Sequence, residues 1–312
     1  MHLFGIDTVG TPTMWLGFFG LIFVMLALDL GIFHRKSEVS TLRSALIWSL
    51  VWIGLALAFG YLVNIWFGAE RALEFITGYL IEKALSVDNI FVFVIIFSAF
   101  SIPPKYQHRV LFWGIFGALI MRIIFIFAGS AFLEKFHWAI YFFGAILIVT
   151  GIKLMAQKHG DSDPGKNYLV RLTRKILPVT DDFRGEKFIV RENGRNYATP
   201  LLLALVAIEA TDVIFAVDSI PAIFAVTRDP FIVFTSNIFA ILGLRSLYFL
   251  LADIVDRFVY LKLGLSIILI FVGIKMTIVD FVKIPIPLSL TVIIGILLLS
   301  ILASLHKTKQ RK

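Results

Sequence analysis

Glu-Lys-Ala-Leu-Ser-Val-Asp-Asn-Ile, at residues 82–90, is the stretch of sequence that decides the fold. It has an echo at residues 212–221, which is Asp-Val-Ile-Phe-Ala-Val-Asp-Ser-Ile-Pro. Each stretch places two carboxylates six residues apart inside a long apolar segment. A charge at the centre of a bilayer costs about 2.5–3.5 kcal/mol even on the most lenient scale. Two such pairs in matching surroundings therefore indicate an ion site inside a membrane.

The composition is typical of a polytopic helical membrane protein. Of the 312 residues, 59% are hydrophobic and 16% are charged. Runs of about 20 apolar residues recur along the chain, as membrane-spanning helices require. Cysteine is absent, which excludes disulfides, catalytic thiols and thiolate metal ligands from these residues. We therefore expect an all-α transmembrane bundle in which residues 1–312 form a single transporter domain.

Nine apolar segments are candidate membrane spans, and one long polar loop separates the fifth from the sixth. Within that loop, at about 157–198, residues 188–197 predict a small hairpin that turns at Asn193-Gly194. The loop is expected to be an ordered connector, with partner binding or gating as the alternative role. The predicted spans are 12–33, 42–66, 73–100, 108–130, 136–156, 199–226, 231–252, 260–280 and 286–305.

The distribution of Lys and Arg predicts the orientation of the spans. With the N-terminus outside, the cytoplasmic connections hold 20 Lys and Arg residues and the outer connections hold 4. Cytoplasmic loops of membrane proteins carry this excess, so an external N-terminus and a cytoplasmic C-terminus follow. The formal net charge of +8 is then explained by topology, and no nucleic-acid partner is expected. The first 11 residues contain no Lys or Arg, so no cleavable signal peptide is expected.

Three consecutive spans recur in the second half of the chain. The copies cover about 73–156 and 199–280, and their charged positions align together with their apolar ones. An odd number of spans makes the second copy enter the membrane from the opposite side, which predicts an inverted-topology repeat of the kind found in secondary transporters. The aligned charged pairs are Glu82 with Asp212, Asp88 with Asp218, Arg122 with Arg245 and Lys153 with Lys275.

The spacing of the acids predicts that two of the helices are interrupted. Residues six apart point about 120° away from each other on an ideal helix, so one regular helix cannot aim both acids at a single cation. We therefore expect unwinding near Asp88-Asn89 and near residues 218–221. There Pro221 lacks a backbone donor and is expected to break the helix. Freed carbonyl oxygens would then join the carboxylates around the ion.

The candidate site consists of oxygen donors alone. Such ligands suit hard cations, Mn²⁺, Mg²⁺ or Ca²⁺, better than Zn²⁺ or Cu⁺. Three basic side chains, Lys83, Arg122 and Arg245, are expected to balance the charge of the acids. The candidate metal ligands are Glu82, Asp88, Asn89, Glu209, Asp212, Asp218 and Ser219.

Other roles for these residues remain open at this stage. The acids could form structural ion pairs, Asp88 with Arg122 and Asp218 with Arg245, or a proton relay without a metal. Glu74 is expected at the outer rim, and Lys153 and Lys275 near span ends are expected to extend their amines towards the interface. A catalytic role is not expected, because no nucleophile–base or histidine-rich metal pattern is present.

The acidic motifs resemble those of the TerC family of bacterial membrane proteins, with the best match to its Alx-like members. The resemblance covers about residues 12–300 and is most specific around Asp218. It is carried by residues 78–83, 87–89, 209–227, 236–245 and 273–276.

That resemblance implies an inner-membrane exporter of metal ions with Mn²⁺ as cargo and no tightly bound cofactor. The expected function is secondary transport of Mn²⁺, or of Ca²⁺ or another hard divalent cation, with protons as a candidate coupling ion. The expected partners are the lipid bilayer and the metal ion, and the oligomeric state stays open. The family is also named for tellurite resistance, and some relatives are linked to protein export or insertion. The alternative function is therefore a membrane scaffold, an insertion factor or a stress-resistance factor that acts through protein partners.

Overall fold

The computed structural model describes residues 2–3, 6–33, 42–136, 138–156, 168–192, 194–252 and 260–310. Within these ranges, the side chains at 2–7, 28–33, 88, 91, 168–169, 218 and 308–310 lie outside the description. Two predicted ligands, Asp88 and Asp218, are therefore placed by their backbone only, and Asn193 falls outside altogether.

Helices coincide with all nine predicted spans, and a short additional helix, α6, lies in the polar loop. Among the described residues, six helical segments are long and apolar enough to cross a bilayer. The polytopic helical architecture is confirmed, and the number of nine spans stays a prediction. The helices are α1 (Pro12–Phe33), α2 (Leu42–Phe67), α3 (Ala69–Ala99), α4 (Pro104–Lys135), α5 (Ala139–Ala156), α6 (Tyr168–Ile176), α7 (Pro200–Phe224), α8 (Pro230–Leu242), α9 (Leu244–Leu251), α10 (Leu261–Thr277) and α11 (Ile286–Gln310).

Two small antiparallel hairpins lie outside the helical bundle. Strands β1 (His2–Leu3) and β2 (Ile6–Asp7) pair near the N-terminus. Strands β3 (Ile189–Glu192) and β4 (Arg195–Ala198) form the hairpin that the sequence predicts in the polar loop. Gly194 in its turn has a φ of 79°, which glycine adopts without the strain that a side chain would bring.

Proline and acid residues determine where several helices begin. Pro104, Pro200 and Pro230 each occupy the first helical position, where the missing amide would have no partner within the helix. Before Pro230, the Asp229 carboxylate accepts the backbone amide of Phe231 at 2.9 Å and so caps α8.

The predicted helix breaks are wrong in position. Helix α3 is continuous through Asp88-Asn89, and α7 continues through Pro221. Pro221 lies in the last turn of α7, where its missing donor removes a hydrogen bond at the end of the helix and leaves the centre intact. The seventh span is interrupted instead, at Gly243 between α8 and α9.

In the core, helices from the first half of the chain pack against helices from the second half. Helices α3 and α7 pack on each other, α3 also packs on α8, and α7 packs on α4. Helix α8 lies at the centre of this arrangement, and all of its residues are buried. Helix α11 has many exposed apolar side chains, which suits contact with lipid. The space among α3, α4, α7 and α8 holds Glu82, Arg122 and Asp212, and we call it the charged centre.

Helices α5 and α10 form a close contact built on glycines of both helices. A β-carbon at Gly273 would lie 2.7 Å from the carbonyl oxygen of Gly144. A β-carbon at Gly151 would lie 2.8 Å from the carbonyl oxygen of Ser266. In the repeat alignment Gly144 corresponds to Ser266 and Gly151 to Gly273, so each contact is the counterpart of the other. The two helices run antiparallel at this point, as an inverted repeat requires, although the repeat itself stays a prediction.

Candidate functional site

The candidate site is centred on Arg122, in the middle of α4. Its side chain is buried, and one guanidinium nitrogen, Nη1, lies 2.7 Å from Glu82 Oε1 of α3. The same nitrogen donates a hydrogen bond to Ser219 Oγ of α7 at 2.8 Å. The other terminal nitrogen, Nη2, lies 3.6 Å from Asp212 Oδ1, also of α7. Three of the predicted metal ligands, from two helices, thus surround one guanidinium cation.

Glu82 uses both carboxylate oxygens in this cluster. Its Oε2 accepts a hydrogen bond from the side-chain amide of Asn237, on α8, at 3.0 Å. Both side chains are buried. The carboxylate is therefore held between a cation on one side and an amide on the other, and such charge-assisted hydrogen bonds are among the stronger ones in proteins.

Two oxygens in the cluster remain available as acceptors. Asp212 Oδ2 and Asn237 Oδ1 are buried and have no hydrogen-bond partner among the residues that the structure describes. A distance of 3.6 Å between Arg122 and Asp212 is also too long for a hydrogen bond. Buried acceptors without partners carry a free-energy penalty of about 1–3 kcal/mol each. A cation that approached both oxygens would remove that penalty.

Sequence reasoning did not include Asn237 in the site. The residue was noted only as part of the family motif at 236–245. A signal was present, because Asn237 is a side-chain amide in an apolar helix that is buried along its whole length. A buried amide needs a polar partner, and the acids on the neighbouring helices could supply it.

The remaining predicted ligands are less completely described. Asn89 is buried on α3, one residue beyond Asp88. The side chains of Asp88 and Asp218 lie outside the described part of the structure, so their proposed ligand role stays a prediction. Glu209, on α7, is partly buried, and its carboxylate packs against α4 so closely that a side chain at Gly117 would overlap it. The site residues thus extend from Arg122 towards Gly117 along α4.

Lys83 contacts the end of α8. Its amine donates a hydrogen bond to the backbone carbonyl of Ala240 at 3.2 Å. Ala240 belongs to the last turn of α8, where backbone carbonyls have no amide partner within the helix because it ends at Leu242. The predicted charge-balancing lysine therefore stabilises the helix break that begins at Gly243.

The predicted structural ion pairs, Asp88 with Arg122 and Asp218 with Arg245, stay predictions, because both aspartate side chains lie outside the description. Within the described residues, Arg122 pairs with Glu82 and Asp212, and whether Asp88 also approaches it lies outside the description. Arg245 is buried in the first turn of α9, immediately after the break. Both arginines therefore lie in the interior of the bundle, where a charge requires compensation by its surroundings.

A second polar cluster lies near the N-terminal end of α3. Glu74 is buried, forms a salt bridge to Arg71 at 2.7 Å and accepts a hydrogen bond from Thr227 at 2.7 Å. Two residues after Thr227, the Asp229 carboxylate accepts a hydrogen bond from the backbone amide of Val9 at 2.6 Å. The N-terminal segment is thus attached to the start of α8. Glu74 was expected at the outer rim of the bundle, and the structure shows that its side chain is buried.

The described residues contain no group of three or more His, Cys, Asp or Glu side chains that could hold a metal ion. Glu82, Glu209 and Asp212 belong to these described residues, whereas the side chains of Asp88 and Asp218 do not. The residue types present still match a hard cation, because carboxylate, amide and hydroxyl oxygens are the donors that such ions prefer.

Comparison with known proteins places this arrangement in a family. The model of the "Integral membrane protein TerC family" matches residues 67–312, which include the whole charged centre. The chain belongs to the TerC family. No solved structure matches it.

Several curated relatives of this TerC-family protein are similar over nearly their whole length. An uncharacterised membrane protein of Myxococcus xanthus is 60% identical over 304 residues, which cover 97% of this chain and 95% of the relative. The "Putative membrane-bound redox modulator Alx" of Escherichia coli K12 is 52% identical over 303 residues, or 94% of each chain. An uncharacterised membrane protein of Rickettsia bellii is 49% identical over 290 residues, which cover 93% of this chain and 96% of the relative. None of these three is named as an enzyme.

Proposed function

We propose that this TerC-family protein exports divalent metal cations, with Mn²⁺ as the first candidate cargo, through the charged centre among α3, α4, α7 and α8. The observation that carries the proposal is the set of buried oxygens around the Arg122 guanidinium. Glu82, Asp212 and Ser219 face this cation at 2.7, 3.6 and 2.8 Å. A site of this kind can compensate a positive charge in the interior of a membrane protein.

The guanidinium serves as an internal substitute for the transported ion. A metal ion that binds Glu82 and Asp212 has to displace Arg122 from at least one of them, because both cations require the same oxygens. Return of the guanidinium would then help to release the metal. This exchange keeps the buried carboxylates compensated by one cation or the other throughout the cycle.

The cargo follows from the chemistry of the donors. The candidate ligands are oxygen atoms, with neither histidine nor cysteine among them. Mn²⁺ accepts carboxylate and amide oxygens readily, whereas soft ions such as Cu⁺ favour sulfur. Asn237 Oδ1 and Asp212 Oδ2 add two available acceptors to the set. The resemblance to TerC exporters agrees with this choice, and Ca²⁺ is the principal competing cargo.

Transport is proposed to run outward across the inner membrane of a bacterium and to be coupled to protons. Carboxylates bind a metal only in their deprotonated form, so metal binding releases protons from any acid that was neutral. The orientation rests on the distribution of Lys and Arg, which places the C-terminus in the cytoplasm. Uptake that does not respond to a pH gradient across the vesicle membrane would contradict the coupling but leave the cation site intact.

The test is a flux measurement on the full-length protein. Inside-out vesicles that contain wild-type protein should accumulate radioactive Mn²⁺. Glu82→Gln and Asp212→Asn should each lower the rate by about tenfold or more, since loss of a ligand or of its orienting partner weakens metal affinity to that degree or further. Glu134→Gln, an exposed change of the same kind on α4, is the matched control and should transport normally.

Each outcome of this flux experiment has a distinct meaning. Normal transport by the Glu82 and Asp212 variants, at equal amounts of folded protein, would contradict the proposed site. Absence of Mn²⁺ accumulation by the wild type would contradict the cargo, and the same vesicles would then be tested with Ca²⁺. Asp218→Asn extends the test to a predicted ligand whose side chain lies outside the described residues.

A second candidate function is a membrane scaffold that acts through the polar loop. One observation favours it, because residues 177–192 and 194–199 are folded and attached to α4. Arg109 pairs with Glu186 at 3.0 Å, and its guanidinium lies over the Phe188 ring. A scaffold should lose function through changes on the loop surface and tolerate Asp212→Asn, and a transporter should show the reverse.

The name of the Escherichia coli relative suggests a role in redox balance, which is compatible with metal export. The residues of this chain include no cysteine, so they provide no thiol–disulfide couple of their own. Export of a metal with several accessible oxidation states would alter redox chemistry in the cytoplasm even though the protein has no thiol–disulfide couple. Under this proposal, any redox phenotype of the protein should follow the Mn²⁺ content of the cells.

A further inference from the structure

Helix α6, in the polar loop, presents three different faces. Val170 is fully buried and faces the protein. With about 100° between successive residues, the basic side chains Arg171, Arg174 and Lys175 fall together on one arc of about 100°. A second arc carries Leu172 and Ile176, whose side chains are 37% and 68% exposed. The sequence of α6 contains no acidic residue.

The position of α6 is fixed close to the start of a membrane span. The helix packs on α7, which is long and apolar enough to cross a bilayer. Just beyond its end, the Pro178 carbonyl accepts the backbone amide of Ala198 at 2.9 Å. Helix α7 begins two residues after Ala198, at Pro200. The C-terminal end of α6 is therefore held where the chain enters the bundle.

The charges of α6 are not neutralised by the ion pairs that surround it in the described segment. Glu186 is paired with Arg109 at 3.0 Å, and Glu192 is paired with Arg184 at 2.8 Å. None of the ion pairs in the described part of the chain includes a cation of α6. The helix thus presents positive charge beside exposed apolar side chains, next to a membrane-spanning helix.

We propose that α6 lies on the membrane surface beside α7, inserts Leu172 and Ile176 between lipid headgroups and binds anionic phospholipids through Arg171, Arg174 and Lys175. A helix with an apolar face and a basic face is stabilised at this interface by burial of the first and electrostatic attraction of the second. Each basic side chain near an anionic leaflet favours the bound state by about fivefold. The two faces are adjacent on α6, so both can be satisfied at once.

Anionic lipid is the occupant that the surroundings favour. A protein partner would have to cover an apolar strip only two side chains wide, whereas lipid is present along every span of this chain. The arrangement also links the polar loop to the composition of the adjoining leaflet. This role is independent of the proposed metal site, since α6 lies in the loop between α5 and α7 and not among the helices of the charged centre.

The absence of cysteine makes a direct test possible, because a single introduced cysteine is the only site that a thiol-specific label can modify. Nitroxide labels would be placed by Leu172→Cys and Ile176→Cys in full-length protein, reconstituted in nanodiscs of phosphatidylcholine with or without phosphatidylglycerol. Accessibility to oxygen relative to a water-soluble nickel complex then reports the depth of the label. Asp181→Cys, at an exposed polar position further along the same segment, is the matched control.

The expected result is a membrane-like depth for both α6 labels in the anionic nanodiscs and a water-like value for Asp181→Cys. Neutralisation by Arg171→Gln, Arg174→Gln and Lys175→Gln together should lower the ratio of bound to unbound helix by roughly a hundredfold. The labels should then become accessible to the nickel complex.

Three outcomes would overturn the proposal. Water-like values for both α6 labels in anionic nanodiscs would show that the helix does not reach the lipid. Equal depth in both lipid mixtures, unchanged by neutralisation, would remove the anionic headgroups from the interaction. Dipolar broadening between labels, observed in place of membrane depth, would identify a second copy of the chain as the occupant.

Discussion

The contact between α5 and α10 and the charged centre differ in how they treat the two halves of the chain. At the α5–α10 contact, the surroundings of Gly151 and Gly273 are counterparts. A β-carbon at these positions would lie 2.8 and 2.7 Å, respectively, from a backbone carbonyl oxygen of the other helix. In the charged centre, Arg122 lies inside the continuous helix α4, whereas its counterpart Arg245 lies just after the break at Gly243. One region is therefore nearly symmetric and the other is not.

This difference suggests that the two regions have different roles, one as a structural contact and the other as the proposed ion site. A close contact of backbones depends on small residues and antiparallel direction, and both halves supply these equally. A single ion needs one set of ligands, so equivalent positions can diverge. Asn237 supports Glu82 from α8, while the aligned position in α4 is Gly114. Divergence at such positions would give the two sides of the proposed site different affinities for a bound cation.

Among the substitutions that test this comparison, loss of Arg122 should lower the free energy of unfolding the most. Arg122→Gln would leave Glu82 and Asp212 buried beside each other without their shared cation. Removal of one partner from a buried ion pair costs about 3–5 kcal/mol, so the unfolding free energy in mixed detergent–SDS micelles should fall by that amount. Arg122→Lys keeps the charge and should recover part of the loss.

The control for Arg122 is Lys135→Gln, an exposed change at the end of the same helix. It should alter the unfolding free energy by less than about 0.5 kcal/mol. If Arg122→Gln proved as mild as this control, the three-way contact with Glu82, Asp212 and Ser219 would not be the main support of the charged centre. The asymmetry of that region would then have another origin.

Sequence patterns predicted the larger features of this molecule well and the local geometry less well. Long apolar runs indicated the helices, and Asn193-Gly194 indicated the hairpin, because both signals are local. The break at Gly243 was not predicted, because a glycine within an apolar run does not by itself indicate a helix end, and the Lys83 hydrogen bond to the Ala240 carbonyl beside it is a tertiary contact. Pro221 predicted a break in α7 that is not present, since proline is tolerated near a helix end.

The candidate site could be predicted as a set of acids but not as a set of contacts. Glu82 and Asp212 were identified because carboxylates in apolar spans are costly, and that cost is visible in the sequence. The contact between Arg122 and Glu82 was not predicted, since the sequence offered Asp88 only as one candidate structural partner of Arg122. Which acids of α3 reach Arg122 depends on how α3 is rotated against α4, and sequence spacing does not determine that rotation.

Substitution of the paired glycines should produce an intermediate effect and sharpen the comparison. Gly151→Ala and Gly273→Ala each add a methyl group within 2.8 Å of a backbone carbonyl oxygen. Overpacking of this kind costs about 1–3 kcal/mol, and the two values should agree within about 0.5 kcal/mol because the surroundings are counterparts. The measurement is again the unfolding free energy in mixed micelles.

Gly54→Ala is the matched control for the two glycines, since a β-carbon there would meet nothing within 4 Å. It should be neutral or stabilising by up to about 1 kcal/mol, because alanine is the better helix former. A loss at only one of Gly151 and Gly273 would contradict the reciprocal contact and, with it, the main geometric support for an inverted repeat.

The smallest predicted effect comes from the last aligned pair, Lys153 and Lys275. Both were expected to extend to the interface, yet Lys153 is exposed and Lys275 is buried near the charge of Glu74. Lys275→Gln shortens a buried side chain and should cost about 1 kcal/mol, roughly the value of one buried methylene. Lys153→Gln should stay within about 0.5 kcal/mol of wild type. Equal losses at the two positions would mean that symmetry extends from the α5–α10 contact to the ends of these helices, and that only the charged centre departs from it.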